Sequence, residues 1–178
     1  MAESVDEVVV TYLEMTERPT APVPPAPMGS QLALIRAHEP PEGYFLYLYR
    51  AVGERWGWTD WVEAGPEARE AFCGHPQVEL YTLMTDGWPG GFFMLDLRAP
   101  GVCDLAYFGL VPEMIGRGLG RWLLATAVEM GWQRPDVVKL TVNTCTLDHP
   151  RALGNYQRAG FVPVRQVAVP AKPAPATG

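Results

Sequence analysis

The chain has 178 residues, a formal net charge of −6, 48% apolar residues and 19% charged residues. This composition indicates one globular domain with a single core and argues against a disordered chain. The acidic balance argues against a nucleic-acid partner, because nucleic-acid binding needs a basic face.

The three cysteines and three histidines are scattered along the chain, without metal or redox spacing. We therefore expect no metal and a reducing compartment. No apolar run is long enough to span a bilayer, and the acidic N-terminus, with Glu3, Asp6 and Glu7, is unlike a secretion signal. These features predict a cytoplasmic protein with no membrane partner.

The first part of the chain alternates extended and helical patterns. Residues 8–15 are rich in β-branched side chains and predict a strand, whereas five prolines make residues 18–30 an extended connector. Residues 31–37 fit a short strand or a turn. Pro40 and Pro41 open a helix whose apolar face is Tyr44, Phe45, Leu48 and Val52.

Three tryptophans follow that helix, at positions 56, 58 and 61. They could line a substrate pocket, but core packing is favoured for each, because aromatic clusters mostly pack. A second short helix is predicted over 66–72, ended by Gly74 and Pro76.

The central part of the chain predicts the sheet. Strand patterns over 78–84, 91–97 and 102–110 are joined by short turns, which predicts an antiparallel meander. A helix pattern then runs to about Trp132, and a further strand covers 137–144. Strand, helix and strand in this order form a crossover that places two strands in parallel.

A glycine turn connects the meander to that helix. Gly116, Gly118 and Gly120 alternate with other residues after the strand end at Pro112. Glycine lets the backbone bend sharply, and the free N–H groups of a helix N-terminus bind anions, phosphate above all. Arg117 and Arg121 add positive charge. A Walker loop and a dinucleotide fingerprint are both excluded by the residues at 121 and 122.

A second constellation covers residues 147–161. Asp148 can cap a helix with Pro150 in its first turn, Ala152 and Tyr156 lie four apart, and Gly160 ends the helix before a last strand at Phe161.

Together the two motifs resemble the GNAT superfamily of acyl-CoA-dependent N-acyltransferases, over about residues 78–164. The glycine turn is similar to the family's pyrophosphate loop, with Ile115 at the usual Arg/Gln position. Residues 152, 156, 160 and 161 match the second motif, with His149 at the usual Asn position. The resemblance implies an α/β (α+β) fold: a mixed, largely antiparallel sheet of six to seven strands, a splayed central parallel pair, and helices on both faces.

The resemblance also implies a site for acetyl-CoA as co-substrate. The family's strands separate at a bulge, which we expect near Gly109 because glycine inside a strand often marks a bulge or a close approach. Pantetheine would then contact the strand. The implied cofactor contacts are Leu110, Val111, Gly116, Arg117, Gly118, Leu119, Gly120, Arg121 and His149.

Amine acetylation needs a neutral amine, an oxyanion donor and a proton for the leaving thiolate. By position in the family, Tyr156 is the expected general acid and Asp104 the expected base, with a water bridging from the short side chain. Tyr107, Glu113 or a water chain are the alternatives for the base. The backbone N–H near Leu110 is the expected oxyanion donor.

The function predicted from these motifs is N-acetylation of a small-molecule or peptide amine by direct attack in a ternary complex. The alternative is a non-catalytic acyl-CoA-binding or sensing module on the same fold. We expect one domain over 1–169 and a disordered tail over 170–178. A homodimer is possible, because many members of the family form dimers.

Overall fold

Seven strands form one sheet in the order β2-β3-β4-β5-β6-β1-β7 in the computed structural model, which describes residues 7–172. The strands in chain order are β1 (Glu7–Met15), β2 (Leu32–Ala37), β3 (Val78–Thr85), β4 (Trp88–Asp96), β5 (Val102–Leu110), β6 (Lys139–Cys145) and β7 (Val162–Pro170). All neighbours pair antiparallel except β5 and β6, which are parallel. The predicted meander and parallel crossover are thus confirmed, and residues 32–37 form a strand rather than a turn.

Helices cover both faces of the sheet, as predicted. They are α1 (Glu42–Gly53), α2 (Asp60–Ala64), α3 (Pro66–Cys73), α4 (Leu119–Trp132) and α5 (Ala152–Ala159). Side chains of α4 and α5 pack in one core cluster with β1, β5 and β6, and side chains of α1 and α3 pack in a second cluster with β3 and β4.

The positions of the helices follow from their sequences. In α4 the buried positions Leu123, Leu124, Ala127 and Val128 recur at helical spacing, which gives the helix one apolar face against the sheet. Gly160 adopts a left-handed conformation with φ 111° and ends α5, as predicted.

The two parallel strands separate soon after they meet. Their register contains only three pairs, from Val102–Lys139 to Asp104–Thr141. Beyond Asp104, β5 remains paired with β4 on one side, while its other edge faces a gap. A bulge accompanies the separation: Leu95 pairs with Leu105 and Met94 with Tyr107, so Ala106 is the extra residue.

The bulge therefore lies three residues before Gly109, and the expected bulge at Gly109 is wrong. The role of Gly109 is a close approach between helix and sheet, because a Cβ there would lie 2.4 Å from Cγ1 of Val52 in α1. This contact brings α1 against the same strand that borders the gap.

The proline-rich segment has no helix or strand between β1 and β2. Arg18 forms an ion pair with Glu129 in α4, and Pro27 lies 4.0 Å from the position that a Cβ of Gly118 would take. The segment therefore passes both ends of α4 and borders the glycine turn.

Towards the C-terminus, β7 extends to Pro170. The first residue of the expected tail, residue 170, therefore belongs to a strand. Lys172 follows the strand and pairs with Asp60 and Glu63. The rest of the expected tail, residues 173–178, lies outside the described residues, as do residues 1–6.

Candidate active site

A cavity of about 450 Å³ occupies the gap between β5 and β6. It passes between the two core clusters, because its wall includes Val52 from α1 on one side and Tyr156 from α5 on the other. The glycine turn and every residue of β5 from Leu105 to Leu110 also line it. The structure thus brings both sequence motifs to one cavity.

The glycine turn forms the end of the cavity next to α4. Gly116 and Gly118 have φ of 84° and 77°, a left-handed conformation that favours glycine. Gly118 is the N-cap of α4 and no side chain caps the helix. Gly116, Gly118 and Gly120 line the cavity. The first-turn N–H groups of α4 are therefore available to an anion that enters from the cavity.

The remaining residues of the turn are placed differently. Arg117 and Arg121 are exposed and are not part of the cavity wall, so their charges lie beside it. The side chain of Leu119 is buried in the core, which leaves only its main chain for a ligand. Ile115, at the position where the family has Arg or Gln, lines the cavity as an apolar side chain.

Leu110 and Val111, the two expected main-chain contacts, differ in how their N–H groups point. The N–H of Val111 donates to the carbonyl of Gly90 at 3.0 Å, and its own carbonyl accepts from Met114 at 3.0 Å. Bonded and non-bonded pairs alternate along an antiparallel ladder. The Gly91–Leu110 pair is therefore non-bonded, and the N–H of Leu110 points away from β4 into the gap. The structure brings Leu110 to the cavity and not Val111.

Tyr156, the expected general acid, is buried and forms part of the cavity wall. Its ring packs edge-on against Phe108 and Phe161, with centroids 6.3 and 6.0 Å away. Burial raises the pKa of its hydroxyl well above the usual range, and the charges of Asp148 and Asp104 raise it further. No hydrogen bond joins this hydroxyl to another residue within 7–172. The phenol is therefore protonated at neutral pH and free to donate toward the cavity.

Asp104, the expected base, lies beside the cavity and not in its wall. Its Oδ1 accepts a hydrogen bond of 2.6 Å from the hydroxyl of Thr141. Burial raises the pKa of this carboxyl, and the Thr141 hydrogen bond opposes the rise. A base role would require a water between Asp104 and the cavity. Glu113, one alternative, is exposed and also outside the wall.

Tyr107, the other alternative, lines the cavity on the α1 side. Its hydroxyl accepts a hydrogen bond of 2.6 Å from the indole N–H of Trp61. Burial raises the pKa of Tyr107 to about 12, so the side chain stays protonated near neutral pH. Tyr107 can donate a proton in a hydrogen bond there, but it is a poor base.

Asp148 does not cap α5, and that prediction is wrong. The helix starts at Ala152, and Pro150 precedes its first turn. The carboxylate instead accepts three hydrogen bonds: from the indole N–H of Trp58 at 3.2 Å, from the hydroxyl of Thr144 at 2.6 Å and from the N–H of Cys145 at 2.9 Å. It thereby ties the loop after α1 to the end of β6 across the gap.

His149 lines the cavity, as its motif position predicts. Its Nδ1 accepts from the N–H of Arg151 at 3.1 Å. In the neutral ring the proton therefore lies on Nε2, which leaves one donor for a ligand. The other polar residues of the wall were not predicted from the sequence; they are Asn143, Arg151, Asn155 and Arg158.

The three tryptophans divide between the two roles considered for them, which are core packing and lining a pocket. Trp61 packs in the core, stacked on Phe72 with ring centroids 4.7 Å apart. Trp56 and Trp58 line the cavity, although packing was favoured for each. Trp58 does both, since its ring also lies 5.4 Å from that of Tyr49.

Two other features, a metal site and a membrane-spanning helix, are absent from residues 7–172. Within this range no cluster of three or more His, Cys, Asp or Glu could hold a metal ion. None of the helices in the same range is long and apolar enough to cross a bilayer.

Comparison with known proteins agrees with this geometry. The model of the Acetyltransferase (GNAT) family matches residues 12–161. A search of curated proteins found no match. A GCN5-related N-acetyltransferase from Sphaerobacter thermophilus is similar over 90% of this chain and 50% of its own, at 15% identity and a TM-score of 0.61.

Two further solved structures share the fold. A putative GNAT-family acetyltransferase from Novosphingobium aromaticivorans is similar over 92% of this chain and 63% of its own, at 16% identity and a TM-score of 0.60. AAC(6')-Iy in complex with a bisubstrate analog, CoA-S-monomethyl-acetylneamine, is similar over 82% of this chain and 100% of its own, at 18% identity and a TM-score of 0.59. The chain thus spans only 50% and 63% of the first two proteins.

Proposed function

Because the chain belongs to the GNAT family of acetyltransferases, we propose that it transfers the acetyl group of acetyl-CoA to a primary amine of a small molecule or peptide. The amine attacks the thioester directly while both substrates are bound. The similarity to AAC(6')-Iy, whose structure holds a CoA bisubstrate analog, supports a small-molecule acceptor. A cytoplasmic location and a homodimer stay predictions.

The observation that carries this proposal is the gap between β5 and β6. Their pairing ends at Asp104–Thr141, although β6 continues to Cys145. The strands leave a cavity that is lined both by the uncapped N-terminus of α4 and by the buried Tyr156. This fits a ligand with an anionic diphosphate, an extended arm and a reactive end.

In the proposed complex, the amides between Gly116 and Gly120 bind the diphosphate of acetyl-CoA. The helix dipole and the charges of Arg117 and Arg121 add to this attraction. The N–H of Leu110 donates to the thioester oxygen, where negative charge grows during the attack.

The amine must lose its proton before it attacks. At pH 7 only about 0.1% of an alkylamine whose conjugate acid has a pKa near 10 is neutral. Deprotonating the amine at this pH therefore costs about 4 kcal/mol. Asp104 is the proposed base, acting through a water. The raised pKa of Asp104 makes it a stronger base than an ordinary carboxylate, whereas the raised pKa of Tyr107 keeps that side chain protonated.

The departing sulfur takes a proton from Tyr156 in this proposal. Its hydroxyl has no partner among the described residues, so no protein hydrogen bond has to break before the transfer. A non-catalytic acyl-CoA-binding module would not need a proton donor at this place.

One experiment separates the enzyme from the binding module. Purified protein is incubated with acetyl-CoA and a panel of primary amines, and free CoA and acetylated amine are measured by chromatography. The proposal predicts equal amounts of both products above the hydrolysis background. Tight acetyl-CoA binding with no acetylated amine from any class of acceptor would instead support the binding module.

A further inference from the structure

The side of the cavity next to α1 is aromatic. Trp56, Trp58 and Tyr107 line it together with Val52. The rings of Trp58 and Tyr107 lie 5.4 Å apart, and Trp58 is held by its hydrogen bond to Asp148. This wall offers apolar area to a flat ligand, and the rings of Trp58 and Tyr107 offer π faces to a single ammonium group.

Carboxylates are scarce on this wall. Among the described residues that line the cavity, Asp148 is the one acidic side chain. Its two oxygens already accept hydrogen bonds from Trp58, Thr144 and Cys145. Asp104 lies outside the wall and accepts from Thr141. A ligand with several ammonium groups would therefore find no set of free carboxylates to pair with.

Charges around the same side are also unfavourable for a polycation. Asp60 and Glu63, which precede and follow the aromatic residue Trp61, are paired with Lys172. The guanidinium of Arg55 lies 5.0 Å above the ring of Trp56. This part of the surface carries the positive charge of Arg55 and two acids that already have a cation.

From these contacts we infer that the acceptor is a primary amine with one positive charge on an aromatic or other flat apolar body, and that polycationic amines are poor acceptors. The inference rests on the proposed acetyltransferase function and specifies its substrate class.

The test compares kcat/KM for two sets of amines at saturating acetyl-CoA. Phenethylamine and tryptamine represent the predicted class, and spermidine and kanamycin represent polycations. The expected result is at least a tenfold higher kcat/KM for the aromatic amines. Equal or better use of the polycations overturns the inference, as does failure to use the two aromatic amines when another amine of the broader panel is acetylated. Failure to bind acetyl-CoA contradicts the proposed function itself.

Two variants test the wall directly. Trp56→Leu should raise KM for phenethylamine about tenfold, since the ring contact is lost. Trp88→Leu is the matched control, because Trp88 is exposed on β4 and outside the cavity wall, and it should leave this KM unchanged. An unchanged KM in Trp56→Leu overturns the inference.

Arg55→Glu tests the charge argument. Replacing the guanidinium with a carboxylate should increase kcat/KM for spermidine several-fold and change kcat/KM for phenethylamine less. A spermidine value that stays the same or falls would contradict the role given to this charge.

Discussion

The hydroxyl of Thr141 donates a hydrogen bond of 2.6 Å to Asp104 at the last pair before β5 and β6 separate. The carboxylate proposed as base is thus fixed at the point where the cavity begins. Burial raises the pKa of Asp104, while this hydrogen bond lowers it by stabilising the charged form.

This pair predicts a specific pH dependence. A base must be unprotonated, so the rate should rise with pH through the raised pKa of Asp104. Thr141→Val removes the donor and should move this acid limb to higher pH, whereas Asp104→Asn should remove the limb and lower kcat/KM by about 10²-fold or more. The measurement is kcat/KM from pH 4 to 9, and an unaltered profile in Asp104→Asn rules out the base role.

The same carboxylate predicts a change in stability. The pKa of Asp104 is higher in the folded state than in the unfolded state, so folding favours the protonated carboxyl. The contribution of this group to folding stability is therefore fully present below its unfolded pKa of about 3.9. It is lost as pH rises through the folded pKa. Asp104→Asn, which keeps an acceptor for Thr141, should therefore raise the free energy of unfolding at pH 7 and change it little near pH 3.

Asp96 provides the matched control, since it pairs with Asp104 across β4 and β5. Burial raises the pKa of Asp96, but hydrogen bonds and charge from Arg98 outweigh it and hold this pKa below its usual value. Its contribution is present above the unfolded pKa and is lost on acidification, so Asp96→Asn should destabilise at pH 7. Denaturant titrations at pH 7 and near pH 3 measure the free energy of unfolding of both variants. If both variants were stabilised, or both destabilised, at pH 7, the opposite pKa shifts of the two carboxyls would be contradicted.

Tyr156→Phe tests the proton donor without removing its ring. Phenylalanine keeps the edge-on packing against Phe108 and Phe161. Loss of the hydroxyl should lower kcat by about 10²–10⁴-fold, and the dissociation constant of acetyl-CoA should stay the same. Steady-state kinetics and calorimetry measure the two quantities. A wild-type kcat would show that the tyrosine has only a packing role.

Gly53→Ala tests how Trp58 is held in the cavity wall. A Cβ at Gly53 would lie 2.3 Å from ring carbons of Trp58, so the indole must move. We expect a loss of about 1–3 kcal/mol of stability and a higher KM for the amine. Acetyl-CoA affinity should not change.

Gly43→Ala is its control in the same helix, because nothing lies within 4 Å of the added Cβ. Because Gly43 lies in the first turn of α1, this change should stabilise the protein by no more than about 0.5 kcal/mol through the helix propensity of alanine. Thermal unfolding measures both variants, and equal effects of the two would contradict the close contact with Trp58.

Local sequence patterns predicted much of the fold. Helical spacing identified α4, short turns identified the antiparallel meander, and the strand-helix-strand order identified the parallel pair. Each of these depends on residues that are close in the chain. The glycine turn could also be predicted from the sequence, because Gly116 and Gly118 adopt backbone conformations that other residues rarely adopt.

Contacts between distant parts of the chain were not predictable in this way. Asp148 has the residue type and spacing of a helix cap, yet it binds Trp58, which lies 90 positions earlier. The bulge lies at Ala106 because of the register with β4, and Gly109 instead accommodates Val52 of α1. Neither relationship leaves a periodic signal in the sequence.

In the proposed complex, the main-chain amides from Gly116 to Gly120 bind the diphosphate of coenzyme A, and the rest of the site depends on this contact. Gly118→Ala should disturb them, because alanine at φ 77° costs about 1–2 kcal/mol. Gly87→Ala is the control: its φ is 93°, nothing lies near the added Cβ, and it is in the turn between β3 and β4. Both variants should lose similar stability, but only Gly118→Ala should lose acetyl-CoA affinity.

The most direct measurement is calorimetric titration of the folded wild-type protein and these two variants with acetyl-CoA. We predict saturable binding of one ligand per chain for the wild type and Gly87→Ala, and at least tenfold weaker binding for Gly118→Ala. No binding to the wild type at millimolar acetyl-CoA, or equal affinity in all three proteins, would contradict the claim.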